Sequence, residues 1–124
     1  MPTEDIPFEQ WENFFNLFSR QHEGWLVNME IIGGVVGAAP EAHEMPLAGI
    51  SADMKDKNRA IAILLHDHGA GRITHIISEP RSVRLKRTAE GADEALDIES
   101  ADGVMTLLRF RSAMPSERLD DVLR

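Results

Sequence analysis

The stretch Pro7-Phe8-Glu9-Gln10-Trp11-Glu12-Asn13-Phe14-Phe15-Asn16-Leu17-Phe18-Ser19-Arg20-Gln21 decides the fold. Phe8, Trp11, Phe14, Phe15 and Phe18 are five of the seven aromatic residues of the chain, and only Trp25 and Phe110 lie elsewhere. Turned through 100° per residue, Leu17, Phe14, Phe18, Trp11, Phe15 and Phe8 gather on about half the wheel, with charged and amide residues on the rest. The spacing predicts an amphipathic helix over about 7–21. Pro7 suits the first helical position, Glu9 and Glu12 favour the positive end of the helix dipole, and Gly24 is a natural stop. Such a helix supplies most of the bulky core material, so a sheet must receive it.

Downstream the pattern changes from helical to alternating. Val27, Met29 and Ile31 alternate with Asn28 and Glu30, as a half-buried strand does. A Gly/Ala/Pro-rich segment from Gly33 to about Glu44 reads as a loop. Further strands are expected over about 45–53, 59–66, 72–78, 81–88, 93–100 and 104–111. Pro46 and Gly49 point to an edge or a bulge in the first of these. The last three can be put in register. Ala101-Asp102-Gly103 is read as a three-residue turn with Gly103 at positive φ. Val83 then faces Ile98 with Thr106 beyond it, and Leu85 faces Leu96 with Leu108 beyond. The other face pairs Arg84 with Asp97 and Arg111 with Asp93. A short terminal helix is expected over about 115–123. The expected fold is α+β: one domain, 1–124, with the N-terminal helix packed on a curved, mostly antiparallel meander of about seven strands, barrel-like or nearly so. Local hairpins dominate, and no β-α-β alternation supports a parallel sheet.

Composition bounds function. The chain has 124 residues, of which 43% are hydrophobic and 27% charged, the balance of an ordinary globular domain. It has no cysteine, which excludes a disulfide framework, a thiolate metal site and a Cys nucleophile. This accords with a reducing cytoplasm, where the protein is expected to act. The acidic start lacks an apolar signal core, and no apolar run is long enough to span a bilayer. A formal net charge of −8 disfavours nucleic acid and anionic lipid as partners.

Several clusters carry side chains capable of chemistry. His66 and His68, with His75 on the next strand of a hairpin, could converge on zinc or a similar metal if the register puts them on one face. The competing reading is a solvated hairpin end. Arg81, Arg84, Lys86 and Arg87 form a basic run, but Asp97, Glu94 and Glu99 on the neighbouring strand neutralise it, and no aromatic in the run can stack a base. Gly33-Gly34-Val35-Val36-Gly37 lacks the spacing of a dinucleotide loop, so no cofactor is expected. His22 falls on the apolar side of the helix and reads as a buried histidine, neutral and hydrogen-bonded, or as a contact to the helix dipole. Met105 and Leu107 point away from Thr106, Leu108 and Phe110. They mark either a covered second face or a surface for a homodimer or an unidentified protein partner. No nucleophile constellation is found. The reading is therefore a non-enzymatic binding or protein-interaction domain, with a metal-binding protein or metal-dependent enzyme on His66, His68 and His75 as the alternative.

Taken together, Ile6-Pro7 with Trp11, Phe15 and Phe18, then Gly24-Trp25-Leu26-Val27, Pro46-Leu47-x-Gly49-Ile50 and the run Gly91 to Ser100 make a recognisable set. The chain resembles a family of short bacterial proteins known only as a domain of unknown function. The resemblance spans about 6–111 and implies a single-domain bacterial protein. It carries over no catalytic residue.

Overall fold

The computed structural model describes residues 3–33, 37–55, 59–66 and 71–111. A short strand β1 (Thr3–Asp5) leads into a 3-10 turn (Phe8–Gln10) and the helix α1 (Trp11–His22). The strands β2 (Leu26–Gly33), β3 (Gly37–Asp53), β4 (Ala60–His66), β5 (Arg72–Ser78), β6 (Pro80–Arg87), β7 (Asp93–Ser100) and β8 (Met105–Arg111) follow. All eight join one sheet in the order β1-β6-β7-β8-β2-β3-β4-β5, and every pair is antiparallel. The sheet does not close. Among the described residues β1 and β5 are its edges, so the expected closure into a barrel is not found. The terminal helix expected at 115–123 lies outside the described residues.

The helix narrows the expected apolar arc. Trp11, Phe15, Phe18 and His22 are buried, a stripe at spacings of four, three and four residues. Leu17, placed with the apolar face by the wheel, is 51% exposed, and Phe8 is 43% exposed beneath the guanidinium of Arg59, 4.6 Å from its ring centre. The indole nitrogen of Trp11 donates to the Ile6 carbonyl at 2.9 Å, and Ile6 in turn donates its amide to the Val83 carbonyl at 2.9 Å. This ties the start of the helix to β6. Gly24, at φ 86°, ends the helix as expected and donates to the Leu47 carbonyl.

The helix lies chiefly against β3, and one hydroxyl pins it there. Ser19 Oγ accepts from the Ile50 amide at 2.8 Å and donates to the Ile50 carbonyl at 2.9 Å. That contact takes up backbone groups beside the bulge between Leu47 and Gly49, where Pro46 and Gly49 had suggested an irregularity. The buried side chains form one core. Ile61, Ile63 and Leu65 of β4 meet Val83, Leu85, Leu96 and Ile98 of β6 and β7 with the helix aromatics in a single cluster. Both halves of the sheet thus contribute to the same interior.

The segment read as a loop between Gly33 and Glu44 is mostly strand. From Gly37 onward β3 pairs back on β2, with Gly37 opposite Gly33, Ala39 opposite Ile31 and Ala42 opposite Met29. Small residues and a proline hid it. Among the described residues β4 pairs with β3 only from Leu47 onward, so Pro40 lies in a part of β3 with a single strand neighbour, β2, where a strand tolerates proline. Register shifts around Met29 take up the extra residues, and Glu44, at φ 50°, donates its amide to Asn28 Oδ1 at 2.7 Å. The register of β6, β7 and β8 matches the expectation. Val83 faces Ile98 and then Thr106, Leu85 faces Leu96 and then Leu108, and Arg84 faces Asp97. Gly103 sits at φ 85°. On its β2 side Arg111 lies opposite Leu26, and it forms an ion pair with Glu44.

Candidate interaction site

The polar network at the end of the helix reaches furthest into the fold. His22 is 3% exposed and stacks on Phe18, with ring centres 3.9 Å apart. Trp25 meets the same ring edge-on at 4.5 Å, and Phe110 lies 5.6 Å away. Its Nδ1 lies 2.9 Å from the Phe18 carbonyl and its Nε2 lies 2.9 Å from Asp93 Oδ2. A carbonyl only accepts, so Nδ1 carries the proton and donates. The Asp93 carboxyl faces the other ring nitrogen, so both nitrogens of the buried ring have a partner. The chain of contacts continues outward. Arg87 Nε donates to Asp93 Oδ1 at 3.2 Å, and its terminal nitrogen donates to Glu4 at 2.8 Å. The hydrogen bond to Glu4 leads in raising the Arg87 pKa above its ordinary value, and Asp93 adds to it. This is a structural clasp joining α1, β7, β6 and β1, and its partners are all committed.

The basic run behaves as its neutralised reading requires, with one addition. Arg84 pairs with Asp5 at 2.9 Å, Lys86 lies 3.9 Å from Asp97, and Arg87 holds Glu4 and Asp93. Two of these acids come from β1, a strand not foreseen from sequence.

The hairpin register separates His66 from His75. His75 lies opposite Ile63, a fully buried residue, while His66 lies opposite Arg72 at the exposed end of β4. The odd offset between these pairs sends His66 and His75 to opposite faces of the sheet. His68 lies outside the described residues, and among the described residues no three His, Asp or Glu side chains converge as metal ligands.

Met105 and Leu107 do point to the face opposite Thr106 and Leu108. Leu107 is nonetheless only 7% exposed, and Met105 is half-buried. Acidic residues flank Leu107 across both neighbouring strands: Asp97 on β7 and Glu30 on β2. Its burial leaves little apolar surface there.

The apolar surface that remains exposed on the sheet is at β5. Ile76 is 57% exposed, the largest exposure of any big apolar side chain described. It belongs to Arg72-Ile73-Thr74-His75-Ile76-Ile77-Ser78, a strand rich in β-branched residues whose only strand partner among the described residues is β4. A cleft of about 260 Å³ opens beside this edge, where His75, Ile76 and Ile77 meet Ile31, Val104 and Thr106. Its rim carries the β7–β8 turn. Ser100 Oγ donates to Asp102 Oδ1 at 2.6 Å, and the Val104 amide donates to the same oxygen at 3.1 Å. The Ser100 hydroxyl first, and the Val104 amide second, hold the Asp102 carboxyl below its ordinary range. One signal for this site stands in the sequence, the β-branched density of Arg72 to Ser78. None marks which strand would end the sheet, because β4 and β5 look alike in pattern.

The chain belongs to the family of unknown function DUF5335, whose model matches residues 2–119. It is similar to an uncharacterized protein of Aquifex aeolicus (strain VF5), 28% identical over 116 residues, which are 93% of this chain and 97% of that protein. No solved structure matches. No helix among the described residues is long and apolar enough to cross a membrane.

Proposed function

We propose that the protein is a non-enzymatic protein-interaction domain that binds an extended strand along the free edge of β5. The observation that carries this reading is the exposure of Ile76 on a seven-residue edge strand without a second strand partner among the described residues. An edge presents backbone donors and acceptors ready to pair, and proteins that do not use such an edge blunt it with lysine, proline, a bulge or brevity. The opposite edge is blunted in this way: β1 is three residues long, and Glu4 and Asp5 are held by Arg87 and Arg84. β5 carries no lysine and no proline, and it pairs with β4 without a bulge. Main-chain pairing would supply affinity, and side chains alternating about Ile76 would supply selectivity. A contact at Met105 and Leu107 is the weaker version of the same reading, since Leu107 is already buried. The cytoplasmic placement expected from the cysteine-free sequence is kept as part of this proposal.

Selection of peptides from a random displayed library on the purified protein tests the reading. The enriched peptides should alternate apolar and polar residues, as an added strand does. Their binding should be lost on Ile76→Lys and on Thr74→Pro. Peptides that bind both variants as well as the parent would place the binding surface elsewhere.

A further inference from the structure

We infer that the strand received by β5 is β5 of a second copy of this chain, paired antiparallel and centred on His75, so that two sheets become one. The inference rests on the interaction reading above and names its partner.

The sequence of β5 is suited to its own reverse. Centring the pairing on His75 sets Ile73 opposite Ile77 of the second copy, and Thr74 opposite Ile76. Opposed residues in an antiparallel pair share a face, so Ile73 meets Ile77 on the core side, while Thr74 and Ile76, both β-branched, meet on the outer side. Ile77 is 5% exposed and Ile73 packs against the core, so their pairing continues the apolar interior from one sheet into the next. Thr74 and Ile76 are exposed, and their pairing covers the apolar surface that a lone chain leaves in water.

Charge points the same way. Arg72 stands at one end of β5, and Glu79, exposed and at φ 51°, follows the other end. Self-pairing sets Arg72 opposite Ser78 of the second copy and beside its Glu79, and the two-fold axis repeats the contact at the far end. No like charges face each other among Ile73, Thr74, Ile76 and Ile77. A chain of net charge −8 repels its copies at long range, so the contact needs a local apolar and charge-matched strip of this kind. His75 meets its own copy on the axis, and the pairing does not depend on its side chain.

Cysteine-free sequence makes the register directly readable. Thr74→Cys protein mixed with Ile76→Cys protein under mild oxidation should give the mixed disulfide in excess of both homodisulfides. Directly opposed residues have Cα atoms about 4.5–5.5 Å apart, within disulfide reach, whereas the diagonal positions are about 7–8 Å apart. Wild type should sediment at twice 13.8 kDa and Ile76→Lys at 13.8 kDa, with the same far-ultraviolet circular dichroism. Thr74→Lys is the second variant, expected to behave as Ile76→Lys does. Three results would overturn the inference: a wild-type monomer at every concentration, a dimer untouched by both lysine variants, or disulfides without preference for the mixed pair. A monomer whose β5 edge still captures the selected peptides removes the second copy and leaves the interaction reading standing. A monomer that captures none removes both.

Discussion

His22 and Asp93 lie 71 positions apart in sequence and meet at 2.9 Å, joining the last turn of the helix to the first residue of β7. The contact is buried on the histidine side and partly open on the aspartate side, with side-chain exposures of 4% and 21%. It fixes the helix end where Phe18, Trp25 and Phe110 converge.

Removing one partner strands the other. Asp93→Ala leaves Nε2 of a buried ring without its partner and should cost about 1–3 kcal/mol. The pair should show a coupling of about 0.5–3 kcal/mol in a double-mutant cycle with His22→Ala, measured by urea unfolding. Additive single effects would show that the two side chains do not act as a unit.

Trp11 anchors the other end of the helix. It is 1% exposed, and its indole donates to the Ile6 carbonyl. Trp11→Ala should destabilise the fold by about 3–5 kcal/mol, through lost packing and an orphaned carbonyl. An unchanged melting temperature would mean that the helix does not dock through this residue.

The β7–β8 turn predicts a pH effect with a definite sign. The folded Asp102 carboxyl is held below its unfolded value, first by Ser100 and then by the Val104 amide. Its contribution to stability is therefore present above the ordinary carboxylate range. It fades as pH falls through the lowered folded value. Titration of the Asp102 side-chain carbon by nuclear magnetic resonance should show the low midpoint, and Ser100→Ala should move it upward. A midpoint that ignores Ser100→Ala would contradict the turn geometry.

What could be read from sequence follows where side chains alternate cleanly. The Val83, Leu85, Leu96 and Ile98 alternation and the three-residue turn Ala101-Asp102-Gly103 specified the β6–β7–β8 register because a one-residue slip would expose the whole set. β1 had no such pattern. Thr3-Glu4-Asp5 is polar throughout, and its pairing is expressed only as charge matched to Arg84 and Arg87. The first half of β3 was hidden by glycine, alanine and proline, residues whose strand role depends on the neighbour they pair with. The burial of His22 was legible from helical spacing, but its partner Asp93 was not, since contacts between distant elements leave no local period. The face of His75 depended on a hairpin register that the Gly69 and Gly71 turn did not fix.

The most direct measurement of the central claim is amide hydrogen exchange along β5 as a function of protein concentration. If β5 pairs with β5 of a second copy, its outward amides should gain protection as concentration rises. They should lose it on Ile76→Lys, while the amides of β6 and β7 stay unchanged. Exchange at β5 that is fast and independent of concentration, in wild type and variant alike, would contradict the account.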